Sequence, residues 1–402
     1  MDKSQLPLTA LVNGERGFFG GIPINTNLCY SNPDVVESFA EKVVAYAKKH
    51  PEVDYLHVWL ADAANNHCEC ENCQKSIPTD LYVRILNRID ALLTEKKLKT
   101  KIVFLIYEEL LWAPQKEEIL NPDRFVMMFA PISRTFKKSY QMPKELPASL
   151  VIIGGGVIGM EFASFFNNLS FLSQWQKAFN GECFDYDYPL GRAHYGDMGY
   201  VHISKIIYDD IKYLKELHLD GYISCQELRA FLPNGLPNYV MGKCLFGTTQ
   251  TFEELAEEYF SAAYGENWKI YYKYLSQVSA LCDCDYFNGK GPRENKTVQE
   301  NMMKLKEVLL RFKKNQETCP ATHPSAITDI FCKHLDYHNE YCILLANALY
   351  YLAGGEQENT QKAWNDFHDF ICSHELDFQK ALDVYRVIEV STNYAGFPVI
   401  GG

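Results

Sequence analysis

The chain has 402 residues, enough to bury a large core and to make two or three domains or one barrel with appendages. Apolar residues at 47% and charged residues at 22% are ordinary for a soluble globular protein, and a net charge of −12 with no basic run argues against a nucleic-acid partner. No apolar stretch reaches the roughly 18 residues of a membrane span, and no charged segment followed by an apolar one opens the chain. No membrane partner and a cytoplasmic location are therefore expected, or secretion if the natural chain begins further upstream.

From residue 34 to about 230, amphipathic helical segments alternate with extended apolar runs. "DVVESFAEKVVAYAKKH" has helical spacing and "VDYLHVWLAD" reads as a buried strand ending in a carboxylate. "LYVRILNRIDALLTEKK" is helical, and "KIVFLIYEE" and "RFVMMFAPISR" are the next two strands. Then come a glycine-rich strand candidate at 146–156, "LSFLSQWQKAFNG" as helix, "ECFDYDY" as strand, "HISKIIYDDIKYLKELHL" as helix and "DGYISCQE" as strand. Such alternation predicts a parallel sheet covered by helices. The spacing fits a (β/α)8 barrel of the TIM type, an α/β fold that needs eight units in about 250 residues. Five firm strands fall short of eight, so the first strands are expected to be missing from a barrel over residues 1–250. From residue 251 to 402 the period becomes 3.6 throughout, as in "TFEELAEEYFSAAYG" and "ENMMKLKEVLLRFKKN", which predicts a helical C-terminal region.

In a barrel the chemistry sits at the C-terminal ends of the strands. Those ends carry Asp62; Tyr107, Glu108 and Glu109; Arg134; Asp185 and Asp187; and Gln226 and Glu227. Carboxylates converging on an aromatic cleft suit glycosidic cleavage, where one protonates the leaving oxygen and the other attacks or activates water. The 26 Tyr and 24 Phe supply aromatic surface for such a cleft, although a large core uses them equally well. Each strand-end carboxylate also has a plain alternative as a helix N-cap. Glu227 with Asp185 or Asp187 is the catalytic pair this reading selects. Asp62, Tyr107, Glu108, Arg134, Arg192, His194 and Gln226 are its substrate contacts.

The 13 cysteines are odd in number and scattered except at "NNHCECENCQ", which fits reduced thiols rather than a disulfide framework. Cys68, Cys70 and Cys73 form a three-ligand arm of the kind that holds structural zinc, with Cys29 or His67 as the fourth ligand. The alternative is a thiol-rich loop without metal. No other cofactor is required.

The segments "WLADAANNHCECENCQ", "FAPISRTFKKSY", "FDYDYPLGRAHYGDMGY" and "DGYISCQELRAFLPNGLPNYVMGKCLF" resemble a group of bacterial barrel proteins of unknown function. That group is itself distantly similar to α-glucuronidases and β-N-acetylhexosaminidases. The resemblance runs from about residue 10 to 290 and implies a glycoside-hydrolase-like barrel with a carbohydrate substrate. It is interrupted by "LPASLVIIGGGVIGMEFASFFNNL", which resembles the NAD-binding fingerprint of dihydrolipoamide dehydrogenase at Gly154, Gly156 and Gly159. That motif needs a second strand ending in an acidic residue about 20 positions on. Here "SQWQKAFNG" stands there instead, so the glycines are expected to hold no dinucleotide. Three readings follow: a glycoside hydrolase, a non-catalytic glycan-binding or degenerate barrel, and, last, an NAD-dependent oxidoreductase.

Overall fold

The structure is a computed structural model that describes residues 3–141, 157–318 and 326–400. It divides into two compact units, each drawn from several stretches of the chain. One comprises Met1–Arg134, Ile152–Asp187 and Leu214–Ile223, the other Thr135–Val151, Tyr188–Tyr213 and Ser224–Gly402.

The first unit opens with a small antiparallel pair, β1 (Leu11–Val12) and β2 (Glu15–Arg16). Its helix α1 (Pro33–Lys49) starts where the Asn32 side chain accepts from Asp34 N and proline fills the first helical position. The sheet follows: β3 (Tyr55–Val58), β4 (Lys101–Ile106), β5 (Phe125–Phe129), β6 (Glu182–Asp187) and β7 (Tyr222–Ser224). Its order is strictly sequential, and the registers from β3 to β6 are parallel. The five runs read as strands from the sequence are these five strands. Sequential order is how a barrel wall is built, whereas a dinucleotide-binding sheet reverses order at a switch point. The curled sheet is a half-barrel; eight strands are not present among the described residues.

Helix α2 (Pro78–Glu95) and helix α3 (Val157–Ala178) link these strands. Helix α3 takes in the end of the glycine stretch, from Val157, together with "LSFLSQWQKAF", while the strand candidate at 146–156 lies outside the described residues. Gly154 and Gly156 lie outside the described residues.

Two faces of the sheet are distinct. Phe104 on β4 packs against Tyr82 of α2, at 6.4 Å between ring centroids, and against Trp175 of α3 at 5.6 Å. This is the helix-covered face. Residues one step along each strand form the opposite face, where Val103, Val126 and Met128 pack with Leu105, Phe184 and Tyr186. Strand β5 is buried on both faces, as a parallel strand between neighbours must be.

The second unit begins its regular structure with α4 (Val201–Tyr213), α5 (Leu236–Leu245), α6 (Phe252–Tyr264), α7 (Trp268–Leu281) and the short α8 (Cys284–Phe287). Long α9 (Lys296–Thr318) and α10 (Ala326–Ala353) follow, then α11 (Gln357–Ser373), α12 (Glu375–Phe378) and α13 (Val384–Val390). The region expected to be helical is helical. Two glycines of "HYGDMGY" permit close packing here: a Cβ at Gly199 would meet Leu275 O at 2.1 Å, and one at Gly196 would meet Cys284 Cα at 2.6 Å. Asp197 between them is fully buried and accepts from Ile203 N at 2.8 Å, which anchors the start of α4. No described helix is long and apolar enough to cross a membrane.

Candidate active site

The first unit gathers polar groups where β3 and β4 end. Trp59 is the residue after β3 and touches His57 edge-on, with centroids 5.6 Å apart. It remains 43% exposed, a large apolar ring left in contact with solvent at a strand end. Tyr107 follows β4 with extended backbone, so it continues the alternation of Val103 and Leu105 on the face opposite the helices. Its hydroxyl donates to Asp62 Oδ1 at 3.3 Å, and Ala63 N donates to the same oxygen at 2.9 Å. Asp62 is thereby fixed at the protein surface.

The backbone around Asp62 is strained. Ala63 (φ 81°), Asn65 (φ 58°) and Glu108 (φ 48°) occupy the left-handed region that non-glycine residues avoid. Strain of this kind costs on the order of 1–3 kcal/mol per residue and gathers at functional sites. Glu109, passed over in favour of Glu108, does the bracing: Oε1 accepts from Asn65 N at 2.5 Å and Oε2 lies 3.7 Å from His67 Nε2. Burial pulls the His67 imidazole below its usual range, and the nearby Glu109 charge opposes that only in part. Asn65, His67 and Glu109 line a cavity of about 280 Å³ together with Tyr30 and Cys73.

Asp185 and Asp187 are elsewhere. In register, Cys183 pairs with Met127 and Asp185 with Phe129, so the β6 aspartates share the helix-covered side of the sheet with Phe104. They are 0% and 1% exposed, and Asp187 Oδ2 accepts from Arg134 Nη1 at 2.8 Å. Two residues assigned from sequence to catalysis and to substrate therefore bind each other inside the protein. Phe184 and Tyr186 take the face opposite the helices instead. The alternation in "FDYDY" is visible in sequence, but only the register with β5 tells which half faces the helices.

The second unit holds Glu227, whose carboxylate Oε1 accepts from Arg386 Nε at 3.0 Å and Nη2 at 2.8 Å. Arg386 also pairs with Glu389, while neighbouring Arg229 pairs with Asp383. These bonds hold the Arg386 guanidinium firmly protonated, Glu227 contributing most. Glu227 N donates to Leu190 O at 2.9 Å, and Arg192 lies 4.1 Å from the centroid of the Tyr394 ring. Gln226 is exposed. His194 is 0% exposed, and its ring lies tilted at 37° to that of Tyr195 with centroids 4.0 Å apart. Neither His194 ring nitrogen has a hydrogen-bond partner among the described residues, nor has the buried Tyr195 hydroxyl. Burial, followed by the Arg386 charge, pushes the His194 imidazole down to about 3, and burial with the Glu227 charge pushes the Tyr195 phenol up. Arg386 could not have been found from sequence, since it stands 159 residues from Glu227. Trp59 had a signal, the aromatic that ends the run "YLHVW".

A family model described as "Domain of unknown function (DUF4838)" matches residues 9–276. None of the curated proteins matches the chain. Among solved structures the chain is similar to a family GH115 4-O-methyl-α-glucuronidase with specificity for decorated arabinogalactans. That likeness has a TM-score of 0.51 and 10% identity, and covers 92% of this chain and 48% of that one. A GH138 enzyme targeting pectin rhamnogalacturonan II gives a TM-score of 0.45 at 9% identity, covering 90% of this chain and 58% of that one. A mutant of the Thermobaculum terrenum O-GlcNAc hydrolase gives 0.39 at 13% identity, covering 90% of this chain and 76% of that one. The chain spans about half the length of the glucuronidase, with which it shares the fold. Since the family model covers well over half of its residues, the chain belongs to the family described as Domain of unknown function (DUF4838).

Proposed function

We propose that this is a carbohydrate-active protein of the glycoside-hydrolase type, with sugar bound where β3 and β4 end. The observation that carries the reading is the group Trp59, Asp62 and Tyr107: an exposed aromatic face beside a carboxylate fixed by a phenol and a backbone amide. Sugar rings present C–H faces that pack on aromatic rings and hydroxyls that donate to carboxylates. Strained backbone at Ala63, Asn65 and Glu108 is what a pre-organised loop of this kind requires. The strand-end position is where barrel enzymes keep their chemistry.

Separately from that group, and for the second unit by itself, we propose Glu227 as a catalytic carboxylate. Arg386 fixes its orientation through Oε1, and the Tyr195 hydroxyl, which has no hydrogen-bond partner among the described residues, lies within reach of its charge. The test is hydrolysis of a panel of aryl glycosides and uronosides by the full chain, by Asp62→Asn and by Glu227→Gln. Turnover in the full chain that falls by at least about 100-fold in Glu227→Gln, with the fold retained, supports the assignment. Unchanged turnover in Glu227→Gln removes it.

A second reading is glycan binding without cleavage. One observation favours it: Asp185 and Asp187, the expected partners of Glu227, face the helix side of the sheet. Sugar binding by a chain that turns over no member of the panel selects this reading. We place the dinucleotide reading last, since the described strands run in sequential order, without the reversal at which dinucleotide-binding sheets hold their cofactor.

A further inference from the structure

Four thiols meet at one point in the first unit. The sulfurs of Cys29, Cys68, Cys70 and Cys73 all lie within 4.8 Å of one another. Three come from a single loop after β3, and the fourth arrives from the N-terminal segment before α1. Cys29 and Cys73 are buried and the other two are partly covered, so the cluster is enclosed rather than displayed.

The spacing of the sulfurs decides what chemistry suits them. A disulfide needs an S–S distance of about 2.05 Å. Cys29 Sγ lies 3.7 Å from Cys70 Sγ and 3.9 Å from Cys73 Sγ, well beyond that bond. A tetrahedral zinc ion with Zn–S bonds of about 2.3 Å has sulfur–sulfur edges of about 3.8 Å. The measured separations from Cys29 bracket that edge.

The surroundings suit a tetrathiolate, which carries a net charge of −2 with Zn²⁺. The positive charge of the Arg16 guanidinium stands near the thiols of Cys29 and Cys68. Leu11 N donates to Cys68 Sγ at 3.3 Å, an N–H···S bond of the type that orients a metal-bound thiolate. The sequence left His67 and Cys29 as alternatives for the fourth ligand. His67 turns its Nε2 toward Glu109, and Cys29 completes the sulfur group.

We propose that Cys29, Cys68, Cys70 and Cys73 bind one structural Zn²⁺ ion. All four positions are filled by protein sulfur, so the ion has no open site for substrate and its role is to fix the loop. That loop is already laced to the N-terminal segment: Glu69 N donates to Leu11 O at 2.7 Å, Asn13 N to Glu69 Oε2 at 2.8 Å, and Asn27 Nδ2 to Asn66 Oδ1 at 2.8 Å. The metal clamps the same two segments together and so holds the strand-end turn that carries Asp62 and Asn65. Zinc binding stands or falls apart from the sugar chemistry proposed above.

The experiment is elemental analysis of the full chain, purified under reducing conditions without chelator, followed by replacement of zinc with Co²⁺. One zinc per chain is expected, and a cobalt spectrum with the ligand-field and charge-transfer intensity of four thiolates. His67→Ala should keep its zinc, and Cys29→Ser should lose stoichiometric zinc. If Cys29→Ser does not fold, the cobalt spectrum of the unaltered chain still counts the thiolates. Metal-free protein that gives no cobalt–thiolate band overturns the proposal. A three-thiolate spectrum with zinc lost in His67→Ala overturns the ligand set.

Discussion

Two buried histidines should make the second unit acid-labile well above the range where most carboxylates titrate. His194 is held near 3 by burial and by the Arg386 charge, and His338 near 4 by burial. Both are at most 1% exposed, and His338 Nε2 donates to Met198 O at 2.7 Å, which the neutral ring satisfies. An unfolded histidine titrates near 6.5, so between about 6.5 and 4 the unfolded chain binds protons that the folded chain refuses. Stability therefore rises with pH across that window and is lost as pH falls through it. At pH 5 each histidine withdraws about 2 kcal/mol relative to pH 7.5, or about 4 kcal/mol together. The figure is insensitive to the folded values as long as both stay below about 4.5. Urea unfolding at pH 7.5 and pH 5, followed by tryptophan fluorescence, measures it. His194→Phe replaces a ring whose nitrogens have no partner among the described residues and should remove about half of the pH dependence. An unchanged dependence in His194→Phe, or an NMR titration of the His194 ring near 6.5, would refute the reasoning. The same result would return His194 to the substrate contacts that the sequence suggested.

Two further outcomes follow from the packing. Asp187→Asn removes the charge that faces Arg134 Nη1 at 2.8 Å in a buried setting and should cost about 3–5 kcal/mol in urea unfolding, whereas a folded, equally stable Asp187→Asn that has lost turnover would make Asp187 catalytic. Gly199→Ala pushes a methyl group to 2.1 Å from Leu275 O; it should cost at least about 2 kcal/mol and lower the melting temperature, and a melting temperature within a degree of the unaltered chain would contradict the packing at α7.

Much of this architecture was legible because each strand is a short apolar run between amphipathic helices, and that pattern needs no knowledge of distant residues. Strand β5, "FVMMF", is buried on both faces and reads as a parallel strand on its own. The site was less legible for three physical reasons. Side-chain alternation in β6 is local, but the choice of which half meets the helices is made by pairing with β5, and it turned Asp185 and Asp187 away from Tyr186. The partner of Glu227 is Arg386 on α13, a contact with no local trace. Burial of His194 follows from packing that the polar look of "GRAHYGD" conceals. The cysteine arm, by contrast, was visible from its spacing, and only its fourth member needed coordinates. Of the glycine fingerprint only the end is described: α3 runs unbroken from Val157 to Ala178, across the positions where the motif calls for a second strand ending in an acid.

Sugar binding at the ends of β3 and β4 is the central claim, and calorimetric titration tests it most directly. The full chain is titrated with oligosaccharides, including acidic ones, and the titration is repeated with Trp59→Ala and Asp62→Asn. The expected result is saturable binding that weakens by about 10-fold or more in each variant, a loss of about 1.4 kcal/mol, with melting temperature unchanged. Binding that survives both substitutions intact, or no binding and no turnover with any glycan tested, would contradict a carbohydrate site at these strand ends.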